Sequence, residues 1–351
     1  MYLCCKDKSV RHFSAGRFLI IVSLVSAVSL TGCRHNEKPI GFGGEAQGTY
    51  YSVQYYDARQ RNLQPQVDSL LAAFDLSASL WVDSSLLRRI NAGITDSLDS
   101  TLTFLLSKSL EISKYTDGAF DPRVGRLVQT WGFSFRERSE PDSATLNELL
   151  RAAHGNIWIL SGQSRFRREY PDTELDFNAI AQGYAADLVA NLLDNNGIEN
   201  YLVDIGGEVV ASGDKGHERP WRVGIEKPAA NADDSPVVQT AIALRNASVV
   251  TSGSYRKYYE RDGVRYSHTI DPSTGRPVQH SLLSVSVVEN EGWLADAMAT
   301  AYMVMGLDSA LSFIASHPDG PGTDAVMFIY DSCGTLQSYT TPAFKELIID
   351  K

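Results

Sequence analysis

The chain has 351 residues, of which 43% are hydrophobic and 21% charged. Those proportions belong to an ordinary globular protein and exclude a disordered or fibrous chain. Lys and Arg total 32 against 42 Asp and Glu, a formal net charge of −10, which excludes nucleic-acid binding through the overall field. The length allows one large domain or two modest ones, each with room for a core.

Lys6, Lys8, Arg11 and Arg17 precede an apolar run from Phe18 to Leu30, a basic region followed by a short apolar one, as in an export signal. A run of about 13 residues is too short to span a bilayer comfortably, which takes ~20. It ends in Leu30-Thr31-Gly32-Cys33, which resembles a bacterial lipoprotein signal. That resemblance implies cleavage before Cys33, lipidation of its thiol, and a protein lipid-anchored in the cell envelope, facing the periplasm or the cell exterior. Residues 1–32 then form the signal, 33–44 a lipidated tether rich in polar residues and glycine, and 45–351 the working domain. The signal carries four basic residues and one acid (Asp7), so the mature net charge becomes −10 − 3 = −13. With Cys4 and Cys5 removed and Cys33 lipidated, Cys333 remains and no intramolecular disulfide can form. Cys333 follows an apolar strand-like run and reads as an inert packed thiol.

Thr49 to Tyr56, β-branched and aromatic, predicts a strand. Gln66 to Ala78 and Thr101 to Thr116 have apolar residues at helical spacing, the second stopped by Asp117-Gly118. Arg136 to Asp142, charged and carrying Pro141, predicts a surface loop. Ala181 to Asn196 predicts a helix with Gly197 as the residue after its cap. Tyr201 to Val210 predicts a strand interrupted by Gly206-Gly207, Trp293 to Met305 a helix, and Ala325 to Tyr330 a buried strand. Helices and strands alternate irregularly, without repeats. The expected class is α+β, a single large domain of mixed, mainly antiparallel sheets with packed helices.

Four segments can carry chemistry. In Thr116–Gly125 a helix end meets Asp121-Pro122. A residue before proline is extended, so Asp121 either projects from a fixed loop or caps its turn. In Leu175–Tyr184 a helix start presents free N–H groups and partial positive charge, suited to an anion, and Gly183 permits close approach or close helix packing. No nucleotide-loop glycine pattern accompanies it. Thr251-Ser252-Gly253 offers hydroxyls and backbone donors for phosphate, and His268 stands before a Pro/Gly-marked turn. Asp296 and Thr300 share one helix face at i and i+4, a hard-oxygen pair suited to Mg²⁺, or else a solvated acid and a hydroxyl bonded to its own helix.

These segments, in this order, resemble the ApbE family of FAD:protein FMN transferases. Further matching stretches are Gly48-Thr49-x-Tyr51, Trp131-Gly132-Phe133, Val203–Glu208, Trp221–Glu226 and Tyr266–Gly275, and the likeness covers nearly all of residues 45–331. It implies an enzyme that splits FAD at its pyrophosphate, joins FMN to a Thr or Ser hydroxyl of a target protein, and releases AMP. It implies Mg²⁺ held by Asp296, Thr300 and the Ala179 carbonyl. Thr251, Ser252 and Gly253 would steady phosphate or ribose. Asp121 would bind FAD through its adenosine part, and Ser79, Leu80 and Trp81 would hold the flavin, with Trp81 stacked on the ring. Gln47 occupies a position where members often carry Met. His268 would move a proton or orient phosphate near the attacking hydroxyl. The implied partners are FAD, a membrane reached through the lipid anchor, and an acceptor that is a subunit of a membrane redox complex, with no nucleic acid. Gln182 departs from the Lys common at its position, so charge neutralisation falls more heavily on the metal. The same residues also suit an FAD pyrophosphatase, with water as acceptor, or a non-enzymatic FAD-binding lipoprotein.

Overall fold

The computed structural model describes residues 38–133, 140–160, 162–216, 218–229, 235, 237–254, 258–261 and 264–349, with backbone alone at 258–261 and 264–266. The signal, Cys33 and residues 34–37 lie outside the described residues, as do 134–139 of the expected charged loop.

The chain begins with strands β1 (Ile40–Ala46) and β2 (Thr49–Tyr55), then helices α1 (Gln64–Ala78), α2 (Leu86–Asn91) and α3 (Ser100–Tyr115). A 3-10 turn at Pro122–Val124 leads into α4 (Gly125–Thr130) and α5 (Ser143–Ala153), followed by β3 (Ile157–Leu160), β4 (Arg165–Arg168) and α6 (Ala181–Asn195). The middle of the chain is mostly strand: β5 (Tyr201–Ile205), β6 (Glu208–Ser212), β7 (Trp221–Glu226), β8 (Val238–Leu244), β9 (Ala247–Gly253), β10 (Tyr258–Arg261), β11 (Val264–Ser267), β12 (Ile270–Asp271), β13 (Arg276–Pro277) and β14 (Leu282–Glu289). It ends with α7 (Gly292–Met305), α8 (Leu307–Ser316), β15 (Ala325–Ser332), β16 (Thr335–Thr340), α9 (Pro342–Leu347) and β17 (Ile348–Ile349).

The main sheet has the order β1-β2-β5-β6-β9-β14-β15-β16, and the pairings within it are antiparallel. Period-two alternation gives it two buried faces. Val53, Val203, Val250, Val287 and Phe328 point to one side and pack with residues of α1, α3, α6 and α7. Val209, Val249, Met327 and Ile329 point to the other and meet Trp221 and Ile225 of β7, Ile242 and Leu244 of β8, and Phe344 of α9. A smaller cluster joins Leu127, Trp131, Leu146 and Leu149 to Ile270. Two-residue turns with left-handed backbone, which glycine adopts at little cost, close the β1–β2 and β5–β6 hairpins: Gln47-Gly48 (φ 54° and 73°) and Gly206-Gly207 (66° and 110°). The α+β architecture agrees with the sequence pattern. Among the described residues no helix is long and apolar enough to cross a membrane.

Three details differ from the sequence reading. Ile40–Gly44, read as part of a tether, belongs to β1 and pairs residue for residue with β2. Asp142, read as the end of a loop, caps α5, its Oδ1 accepting the Thr145 N–H at 2.8 Å. Cys333 is exposed, not packed, at φ 53° between β15 and β16.

Candidate active site

The site begins where α6 and α7 cross. Both helices carry glycine at the crossing, and a Cβ on Gly183 would fall inside contact distance of the Gly292 carbonyl, with its carbon at 2.6 Å. The close approach lets each helix satisfy the other. Asp187 of α6 accepts the Gly292 and Trp293 N–H groups at 2.7 and 2.9 Å, capping the start of α7 from outside it. In return the Gly183 N–H donates to Asp296 Oδ2 at 3.1 Å. Asp296 is 4% exposed, and among the described residues it has no Lys, Arg or His partner. Desolvation, then the Asp187 charge beside it, raises its pKa well above the usual carboxylate range, against the Gly183 N–H, which lowers it.

One helical turn on, Thr300 Oγ1 lies 3.2 Å from Ser252 Oγ. Thr251 Oγ1 lies 2.7 Å from Ser286 Oγ. The sequence marked Thr251-Ser252-Gly253 as phosphate donors. They are the last residues of β9, paired with Ser286, Val285 and Ser284 of β14, so interior strand pairing fixes these hydroxyls more firmly than a turn would.

Asp121 and Arg123 form a mostly buried pair. Asp121 Oδ1 accepts the Arg123 N–H at 2.9 Å and Nε at 2.8 Å, and Oδ2 accepts Nη2 at 2.6 Å and Ser113 Oγ at 3.4 Å. A carboxylate has about four acceptor sites, so this one is spent on fixing its loop. Nearby, Asp176 is buried at the cavity wall, and its Oδ1 accepts the Asn178 N–H at 2.8 Å. Desolvation pushes its pKa up to about 6, against a smaller lowering by that N–H.

At the end of α1, Ser79 Oγ accepts the Trp81 and Val82 N–H groups at 3.0 and 3.3 Å. That turn buries Leu80 and leaves Trp81 59% exposed. The Gln47 side-chain amide is enclosed, and neither its oxygen nor its nitrogen has a hydrogen-bond partner. His268 meets Phe133 edge-to-face at 6.4 Å.

A single cavity of about 980 Å³ joins these groups, at the upper end of the range for ligand pockets. It is lined by Gln47, Ser79, Leu80 and Trp81 on one side and by Ala179, Gln182, Asp296 and Thr300 around the helix crossing. Asp121, Thr251, Ser252, Gly253 and His268 complete the set predicted from sequence. Cys33 lies outside the described residues. Sequence reasoning missed Asp176 and Asp187, whose burial no local pattern announces, and a second wall formed by Tyr50, Asp204, Glu208, Arg222 and Glu226. The Asp in Val203-Asp-Ile-Gly-Gly-Glu208 was the available signal there.

Asp176 gives a pH prediction. Its folded pKa, about 6, lies above the ordinary aspartate value of 3.8, so folding is unhindered by this group below about pH 4 and loses stability as pH rises through about 6. Asp176→Asn keeps an oxygen for the Asn178 N–H and removes the buried charge. The expected gain is about 3 kcal/mol at pH 8 and near zero at pH 4, measured by denaturant unfolding at both. An equal effect at the two pH values would contradict it.

A family profile described as the ApbE family matches residues 47–326. An FAD:protein FMN transferase of Vibrio cholerae is 34% identical over 339 residues, covering 93% of this chain and 98% of that relative. One from Escherichia coli is 32% identical over 353 residues, covering 95% and 98%. A solved structure of the flavin transferase ApbE from Vibrio cholerae matches with a TM-score of 0.76 at 30% identity, over 89% of this chain and 99% of that one. The apo flavinyl transferase ApbE of Pseudomonas stutzeri matches with 0.76 at 31%, over 89% and 97%.

Proposed function

The chain belongs to the ApbE family, and from that premise we propose that it is an FAD:protein FMN transferase. FMN passes from FAD to a Thr or Ser hydroxyl of an acceptor protein: the P–O bond of the pyrophosphate breaks, a phosphoester forms, the hydroxyl loses its proton and AMP leaves. One observation carries the reading. A buried carboxylate with no cationic partner among the described residues, Asp296, shares a cavity of dinucleotide dimensions with the Thr251–Gly253 hydroxyls and His268.

Asp296, Thr300 and the Ala179 carbonyl fit Mg²⁺. They are hard oxygens, and a divalent cation relieves the cost of burying an uncompensated carboxylate. Mg²⁺ takes few protein ligands and keeps positions for water and phosphate, so this small oxygen set would suffice. When bound, the ion would neutralise pyrophosphate charge as the bond breaks. Ser252 and Gly253 orient phosphate oxygens, and His268 accepts the proton of the attacking hydroxyl. Trp81 covers the flavin ring, and the unpartnered Gln47 amide meets the polar edge of FAD. Gln182 lines the same cavity and is neutral, so it would offer the ligand a hydrogen bond without charge. Arg123 holds Asp121 at the cavity wall, fixing the loop on which it would meet the adenosine part of FAD.

The decisive test mixes the soluble domain with FAD, Mg²⁺ and a candidate acceptor, then seeks an FMN-sized mass increase on Thr or Ser. Free FMN and AMP without labelling would make the protein a hydrolase instead. We place the protein in the cell envelope on a lipid carried by Cys33, with a subunit of a membrane redox complex as its acceptor. Cys33→Ser should move it from the membrane pellet to the soluble fraction, and unchanged sedimentation would defeat the anchor.

A further inference from the structure

We propose that the outer edge of β7 is the docking strand for the acceptor protein: an extended segment pairs with it and carries its Thr or Ser hydroxyl into the cavity. The inference rests on the flavin-transfer reading and deepens it. The three-stranded sheet runs β17-β8-β7, so β7 has β8 on one side and, among the described residues, no strand on the other. An open edge offers unpaired N–H and C=O groups to an extended peptide.

This edge faces the cavity. Arg222, Val223 and Gly224 are consecutive and all three line it. Side chains alternate along a strand, and Val223 packs with Trp221 and Ile225 into the core, so it meets the cavity through its backbone, bare beside Gly224. The strand is also rigid. Trp221 and Ile225 are anchored in the core beneath it, and Trp221 Nε1 donates to Ser212 O at 2.9 Å. β7 contains neither Pro nor Lys, the residues that commonly blunt an edge. Gly224 places no side chain over it, and Gly206-Gly207 of the β5–β6 turn lines the same cavity without side chains.

The occupant is a peptide and not more of the dinucleotide. Asp204, Glu208 and Glu226 line this part of the cavity, and all three charges reach Tyr50, whose phenol is pushed up to about 12 by burial first and by those carboxylates next. Three carboxylates around the single guanidinium of Arg222 disfavour phosphate in this part of the lining, whereas the Thr251–Gly253 donors and the Mg²⁺ proposed at Asp296 would hold it. A polypeptide backbone carries no such charge. Continuity does the rest, because the hydroxyl must enter this cavity to reach the phosphorus.

The test uses a short synthetic peptide with one Thr, cut from an acceptor that the full domain labels. Backbone N-methylation is scanned along it, and a photo-crosslinking residue is placed beside the Thr. Strand pairing predicts losses in kcat/KM of about tenfold or more at every second position, with the intervening positions near unmodified, and crosslinks on Arg222–Glu226. FAD affinity should not vary, since the enzyme is unchanged. Uniform tolerance, sensitivity at helical spacing, crosslinks on β1 or β16, or a β7–β7 dimer in solution would each overturn the docking strand while leaving flavin transfer standing. No labelling of any acceptor, with FAD still bound, would sink the transfer reading and this inference together.

Discussion

Asp296→Ala will abolish FMN transfer while the protein still folds. The carboxylate is the one charged group that α7 sends into the cavity at the helix crossing, and it is buried with no cationic partner among the described residues. If it holds the metal that stabilises charge on the breaking pyrophosphate, its loss removes several kcal/mol of transition-state stabilisation, a fall of about a thousandfold or more in single-turnover rate. Folding should survive because the group does not support it. Burial raises its pKa, so in the metal-free protein the ionised carboxylate weakens folding as pH rises above its unfolded value. Replacement removes that cost at the expense of one N–H partner for Gly183. Two melting curves decide the matter. Mg²⁺ should raise the melting temperature of the wild type by linkage and leave the variant unmoved. Full transfer by the variant in metal-depleted buffer would remove Asp296 from the chemistry.

The elements that the sequence made legible are those with a strong local period. α1, α3, α6 and α7 match within two residues at their starts, because each turns an apolar stripe to the sheet, and Gly197 stops α6 at φ 73° as its position implied. The elements it hid depend on distant partners. Ile40-Gly-Phe-Gly-Gly44 looks like a tether because glycine is poor in strands, yet the register with β2 holds it. The candidate chemistry divides the same way. Asp296 and Thr300 were visible as one helix face. Asp187 was not, because its bonds lie 105 and 106 residues along the chain. The β7 edge was invisible because openness is a property of the sheet and not of the six residues in the strand.

The second large effect concerns backbone and not charge. Gly183→Ala should lower both stability and activity, although alanine is the better helix former by about 1 kcal/mol. The added Cβ would collide with the Gly292 carbonyl and lie 2.9 Å from Asp296 Cβ. The carbonyl belongs to the facing helix, so no side-chain rotation relieves the contact. Overpacking of this kind costs about 1–3 kcal/mol, and a rigid backbone neighbour puts the cost at the upper end, so the clash wins over propensity. Separating the helices would stretch the Gly183–Asp296 hydrogen bond and carry Thr300 away from Ser252, and a displacement of about 1 Å can cost about a hundredfold in rate. Gly197→Ala is the control. It sits at φ 73° with nothing within 4 Å, so it should cost about 1 kcal/mol of backbone strain and leave transfer intact. Comparable activity in the two variants, measured at a temperature where both are folded, would show that close helix contact does not position Asp296.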